Sequence, residues 1–193
     1  MILTKAQIEK DILNGNIHLN QNGENLKIGP NSIDVHLAPT IKTYIPLNIK
    51  KKGNVYEGVP DFSETFMIDI KKKQKVYEYN IPKEGLILHP GVLYLGSTIE
   101  AVGSDCYVPM YEGRSSMARY GIQSHISAGF GDIGFKSNWT LEITVTHKTI
   151  LYPNIRIGQV YFIKPYGNIE TFYSGKYVDQ KKATESKAFE DFE

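Results

Sequence analysis

From Ser32 onward the chain is a succession of short, strand-length segments broken by glycine and proline, and this punctuation constrains the fold most. "SIDVHLAPTIKTYIPL" holds one or two strands broken at Pro39. "GLILHPGVLYLGSTIEAVG" gives two around His89-Pro90-Gly91. "NWTLEITVTHKTILYPNIRIGQVYFIKPYG" supplies at least two more, divided near Tyr152-Pro153-Asn154. Many short strands separated by Gly/Pro turns predict a mainly β sandwich or barrel. The most regular segment is 138–145. There Trp139, Leu141, Ile143 and Val145 fall on one face of a strand, and Thr140, Glu142 and Thr144 on the other. Glutamate is a poor strand former, so Glu142 invites a functional reading beside the plain one of a solvated face.

The remaining segments frame this β region. "LTKAQIEKDILNGN" predicts one short helix, with a Thr4/Gln7 capping box, an apolar stripe of Ile8, Ile12 and Leu13, and a stop at Asn14-Gly15. Residues 51–85 are polar and lysine-rich. They read as hairpins and exposed loops, with Lys50–Lys52 and Lys71–Lys73 as solvated strand ends or edge protection. From about residue 167 the periodicity fades, but Tyr and Phe persist. This leaves either a disordered tail or a segment that orders over a ligand. The expected division is a β-domain over 1–166 and a closing segment over 167–193.

Charge and cysteine content narrow the function classes. A net charge of +1 supplies no general field for a nucleic-acid polymer or an anionic membrane. No apolar run approaches the roughly 20 residues of a membrane helix, and "MILTKAQIEK" lacks the apolar stretch of a signal peptide. Cys106 is the single cysteine, which excludes an intramolecular disulfide and a zinc site built on paired cysteines, and suits a reducing, cytoplasmic setting. None of the five histidines has zinc-ligand spacing.

Arginine usage is more pointed. Among 22 basic residues only Arg114, Arg119 and Arg156 are arginines, all in one central segment. Arginine there suits a need for its planar, multi-donor fork, as in phosphate or carboxylate recognition; the plain alternative is chance clustering with ordinary salt bridges. "GRSSMAR" sets Arg114, Ser115, Ser116 and Arg119 close together, donors suited to an oligophosphate; the plain alternative is a capped turn with surface ion pairs. In "AGFGDIGF", Asp132 sits among glycines that permit tight turns and close ligand approach. The spacing is neither a dinucleotide-binding fingerprint nor a phosphate-binding P-loop.

Taken together, "EGRSSMARYGIQSHISAGFGDIGFKSNWTLEI" resembles the core of the dCTP deaminase family, within the dUTPase-like superfamily. "PNSIDVHLA", "LHPGVLYLGSTIE", "IRIGQVYF" and "SGKYVDQKKATESKAFEDF" resemble its other motifs in order, leaving 45–85 the least matched part. The resemblance implies a distorted jelly-roll β-barrel of the dUTPase type, forming a homotrimer with active sites between subunits. It implies hydrolytic deamination of dCTP to dUTP and ammonia without zinc, with Mg²⁺ bound through the triphosphate and no metal site on the protein.

By motif, Glu142 matches the catalytic glutamate, and Ser115 and Arg119 match catalytic positions. Arg114, Ser115, Ser116 and Arg119 match nucleotide-binding positions. Asp132 matches the aspartate that meets the deoxyribose 3′-hydroxyl. Lys176, Tyr177 and Gln180 match tail residues that cover the nucleotide, and Gln159 matches a Gly-Gln element shared with dUTPases. Phe130 stands where some monofunctional deaminases carry arginine. That leaves open the bifunctional alternative, in which dUTP is hydrolysed on to dUMP and pyrophosphate. A plain dUTPase and a non-catalytic nucleotide-binding regulator are the other readings.

Overall fold

The computed structural model describes residues 1–20, 26–63 and 66–192. Glu64 and Thr65, within the stretch expected to form hairpins and loops, and Glu193, within the expected closing segment, lie outside the described residues. The chain is mainly β, with helix α1 (Lys5–Leu13) at its start. Ile8 anchors α1 fully buried, while Leu13 is exposed rather than part of an apolar stripe. Thr4 takes the N-cap position with extended backbone, but no side-chain capping bond forms. The Gln7 amide donates instead to Asp11 at 2.7 Å, so the anticipated capping box is absent. The stop at Asn14-Gly15 is as expected, with Gly15 at φ +76°.

The strands are β1 (Ile17–Asn20), β2 (Ser32–His36), β3 (Thr40–Thr43), β4 (Leu47–Lys52), β5 (Val55–Pro60), β6 (Tyr77–Asn80), β7 (Leu86–Leu88), β8 (Tyr94–Ser104), β9 (Val108–Gly113), β10 (Ile122–Gln123), β11 (Asn138–Val145), β12 (Thr149–Leu151) and β13 (Arg156–Ile163). A four-residue helical turn, α2 (Ser115–Ala118), lies between β9 and β10. Among the described residues the strands form three sheets. One runs β10-β11-β8-β3-β6 with β1 also on β8, a second β12-β7-β5-β4, and a third β2-β13-β9. Their inner faces share one core that includes Ile33, Val35, Leu86, Tyr94, Leu141, Ile143, Val160 and Phe162. No helix among the described residues is long and apolar enough to cross a membrane.

The central strand behaves as its alternation requires. In β11, Trp139, Leu141, Ile143 and Val145 are buried, and the intervening Asn138, Thr140, Glu142 and Thr144 are half-buried. Strand β11 is held antiparallel to β8, with Glu142 opposite Leu95 and a register shift between Asn138 and Thr140. Lys50–Lys52 stand exposed on β4, the edge strand of its sheet, where charge discourages edge-to-edge pairing.

A charge cluster ties the second sheet to the loop before β12. Glu57 on β5 accepts from Lys148 Nζ at 2.8 Å and Lys52 Nζ at 3.0 Å, and lies 3.1 Å from His89 Nε2. The lysine hydrogen bonds, that from Lys148 foremost, lower the Glu57 pKa from 4.5 to about 2. Because the folded-state value is depressed, the stabilisation is complete above pH 4.5 and fades as pH falls towards about 2. Thermal melts across that window are expected to show a shallower acid slope for Glu57→Gln than for the parent protein. Superimposable slopes would remove Glu57 from the acid response.

Candidate active site

The polar face of β11 opens into a cavity of about 390 Å³ whose lining includes Glu142, Thr140, Asp132, Tyr44, Leu95, Phe130, Tyr177 and Gln180. That volume suits a small organic ligand. The alternation of β11 explains the placement: Leu141 and Ile143 hold the strand in the core, so Glu142 must face the other way. The Glu142 carboxylate accepts one hydrogen bond among the described residues, from the Ile126 amide at 3.2 Å. Asp132 comes from the glycine-rich loop and is exposed, with its carbonyl accepting from the Phe135 amide at 3.1 Å.

Aromatic packing fixes the floor. Trp139 donates from Nε1 to the Val102 carbonyl at 3.0 Å. Phe135 packs edge-on against Trp139 at 5.1 Å and against Tyr173 at 5.8 Å. Tyr111 stacks on Trp139 and hydrogen-bonds Ser124 at 2.8 Å. Burial pushes the Tyr111 phenol well above its ordinary value, and the nearby Glu142 and Glu112 add to the rise, so Tyr111 is a neutral donor.

The segment after residue 167 lies against this site. The Tyr173 amide donates to the Ile133 carbonyl at 2.7 Å. Gly134, at φ +94°, lets Phe172 approach so closely that a Cβ there would lie 2.8 Å from the Phe172 Cβ. Gln180 donates to the Asn138 carbonyl at 2.7 Å and accepts from the Thr140 hydroxyl at 3.2 Å. The Thr140 hydroxyl in turn accepts from the Thr184 amide at 3.1 Å, and the Tyr44 hydroxyl from the Ser186 amide at 3.1 Å. Lys42 pairs with Glu185 at 2.9 Å.

Thr140 therefore fastens the tail at two points, two residues before Glu142. Thr140→Val keeps the shape and strand preference but removes both bonds, each worth about 1 kcal/mol. Amide exchange over 178–186, or tryptic cleavage after the exposed Lys181 and Lys182, is expected to quicken by about tenfold or more. Unchanged protection would mean that other contacts hold the tail.

The structure brings together only part of the residue set that the sequence suggests. Glu142, Asp132, Tyr177 and Gln180 share the cavity. Arg114, Ser115, Ser116 and Arg119 do not line it: they form α2 and its flanks, with Ser115, Ser116 and Arg119 exposed. Gln159 lies on β13, where its side chain accepts from the Ser32 hydroxyl at 3.0 Å. Lys176 is engaged by the C-terminal turn, donating to the Lys187 carbonyl at 3.1 Å and to the Asp191 carboxylate. Thr140, Tyr44 and Thr184 line the cavity without having been singled out. Thr140 was legible in principle, because it shares a strand face with Glu142. Tyr44 carries no local signal, since only the fold brings it to the tail.

Comparison with known proteins fits this geometry. A family model described as dCTP deaminase-like matches residues 2–164. A protein of Hathewaya histolytica named "dCTP deaminase, dUMP-forming" is 40% identical over 193 residues, covering all of both chains. Proteins with the same name from Leptospira biflexa (40%) and Clostridium beijerinckii (38%) also match over 193 residues, covering 100% of this chain and 99% of theirs. Among solved structures, the 2′-deoxycytidine 5′-triphosphate deaminase of Agrobacterium tumefaciens superposes with a TM-score of 0.58 at 15% identity. It covers 83% of this chain but 47% of that longer one, a likeness of fold alone. With a family model spanning most of its length and relatives aligned end to end, this chain belongs to the dCTP deaminase-like family.

Proposed function

We propose that the protein is a hydrolase of pyrimidine deoxynucleotide metabolism that deaminates dCTP and carries the product on to dUMP and pyrophosphate. The observation that carries this reading is Glu142, turned by the β11 alternation into the same cavity as Asp132, under a docked tail. The sequence alone favoured dUTP as the product. The names of the full-length relatives support the dUMP-forming alternative instead.

In this reading cytosine sits in the cavity with its ring near Glu142. The carboxylate takes a proton from water as the oxygen attacks C4, and delivers it to N3. It then assists departure of the 4-amino group as ammonia, leaving uracil. Asp132 accepts from the sugar 3′-hydroxyl. Tyr177 and Gln180, on the lid formed by residues 167–193, close over the nucleotide and exclude bulk water. Lys176 joins them by exchanging its Asp191 contact for the nucleotide.

Ser115 and Arg119 complete the catalytic set, and Arg114, Ser116 and Gln159 the nucleotide-binding set. Since none of these lines the cavity of their own protomer, a second copy brings them to it. That division supports sites between subunits, and the assembly we assign is a homotrimer. The Arg114–Arg119 element offers guanidinium and hydroxyl donors, which match phosphate oxygens rather than a cation. Mg²⁺ thus enters as part of the substrate, on the triphosphate. The setting we assign is cytoplasmic.

Incubation with dCTP and Mg²⁺, and separately with dUTP, tests the reading by following ammonia, dUTP, dUMP and pyrophosphate. Ammonia with dUMP supports it. Ammonia with accumulating dUTP would restrict it to deamination. Pyrophosphate from dUTP without ammonia from dCTP would make the protein a dUTPase, and binding without turnover a regulator.

A further inference from the structure

Arg156 is the one arginine of the three that the site has not absorbed. It opens β13, whose Gly158 pairs with Gly113 at the end of β9, next to Arg114. The Arg114 amide donates to the Ile157 carbonyl at 3.4 Å, so the backbones beside both arginines run together. Their side chains converge on Asp34 of β2. Arg156 Nη1 donates to Asp34 Oδ2 at 3.1 Å, and Arg114 Nε lies 3.8 Å from Asp34 Oδ1. Asp34 is 9% exposed, whereas the side chains of Arg114 and Arg156 remain 24% and 38% exposed.

Both arginines line a second cleft, of about 700 Å³, together with Lys27, His36 and Met117. His36 is already tied to Glu100, with Nδ1 at 2.6 Å from the carboxylate. Among the described residues the cleft is thus lined by three cations, Lys27, Arg114 and Arg156, and the two arginines share one carboxylate, Asp34, which is mostly shielded from water. A guanidinium has five N–H donors, and Asp34 engages few of those on either arginine. The arrangement is a pair of forks set side by side by a buried carboxylate, with spare donors facing open space.

We propose that Arg156 is a further phosphate-binding residue, placed beside Arg114 by the positioning residue Asp34, and that this cleft takes the oligophosphate chain of a nucleoside triphosphate. The proposal rests on the reading above that Arg114 belongs to the nucleotide site. A structural role for the trio, as an ion pair joining β2 to β13, is the competing account. It predicts loss of stability without selective loss of phosphate binding.

The test uses the full-length protein and three probes: inorganic tripolyphosphate, dCMP and dCTP. Calorimetric titration of Arg156→Gln is expected to show tripolyphosphate affinity lowered by about tenfold or more, with dCMP affinity kept. With dCTP the loss is expected in KM rather than kcat. Arg156→Lys, which keeps the charge but not the fork, is expected to fall between. Asp34→Asn should weaken tripolyphosphate binding in the same direction, and Arg156→Gln serves alone if that variant does not fold. Parent-like tripolyphosphate affinity in Arg156→Gln would overturn the proposal, as would a lowered melting temperature with unchanged affinity, or a parent protein that does not bind tripolyphosphate. A parent protein that binds tripolyphosphate, loses it on Arg156→Gln and yet releases no ammonia from dCTP would sustain this site and overturn the deaminase reading.

Discussion

Glu142→Gln is expected to bind dCTP like the parent protein and to release ammonia at least about a thousandfold more slowly. The amide keeps the size of the carboxylate, and its carbonyl oxygen can still accept from the Ile126 amide, so the local fold has no reason to change. Asp132 and the tail contacts, which would hold sugar and ring, are untouched. The amide cannot take a proton from water. General acid–base catalysis by one side chain contributes about 10² to 10⁴ in rate, and here a single group serves the attack, the transfer to N3 and the departure of ammonia. The expected loss thus lies in the upper part of that range. Nucleotide binding followed by calorimetry beside ammonia release separates the two effects, and undiminished ammonia release would remove Glu142 as the base.

The same variant probes the division of the site between copies. Arg119 is exposed on its own protomer and does not line the cavity that holds Glu142. If one copy supplies Arg119 and another Glu142, then Glu142→Gln and Arg119→Ala are each inactive alone. Mixed and reassembled in equal amounts, they should regain activity in about a quarter of the sites, as random pairing of subunits gives. No recovery from demonstrably mixed assemblies would place both residues in one protomer's site.

What the sequence disclosed about this site depended on the range of the signal. The β11 alternation is a property of eight consecutive residues, so the burial of Trp139, Leu141, Ile143 and Val145 and the opposite placement of Glu142 were readable locally. The N-terminal helix was equally readable in extent, but not in detail: Gln7 found a closer partner in Asp11 than in the helix end. The Lys176 contacts, by contrast, depend on a chain reversal that brings residues 187–191 back over 176, and no periodicity encodes that. Tyr44 reaches the tail across more than a hundred residues of chain. The division into three sheets likewise reflects hydrogen-bond registry between distant strands, as between β13 and its two partners. Local patterns specify faces; only the assembled fold specifies neighbours.

The loop between Asp132 and Glu142 shows how tightly those neighbours are set, and Gly103→Ala is expected to have the largest effect on stability. Gly103 lies in β8 opposite His18 of β1. A Cβ there would fall 1.7 Å from the Phe135 carbonyl oxygen, 2.6 Å from its carbon and 2.8 Å from the Lys136 Cα. These are backbone atoms, which no rotamer change can move aside, so the loop carrying Asp132 and Phe135 must shift. Overpacking typically costs about 1–3 kcal/mol, and a clash with main chain belongs at or beyond the top of that range. For a chain of this size about 3 kcal/mol lowers the melting temperature by roughly 6–12 °C. Gly58→Ala is the control. It too is a strand glycine, but its Cβ would meet only side-chain methyl groups of Leu47, Ile49 and Leu86 at 3.2–3.5 Å, so its melting temperature should change far less. The displaced loop also carries Phe135 off Trp139 and Asp132 away from its place in the cavity that Glu142 lines. Any Gly103→Ala protein that folds should therefore bind dCTP more weakly than the parent protein. Equal melting temperatures for the two alanine variants would show that the loop accommodates the methyl group without moving the site.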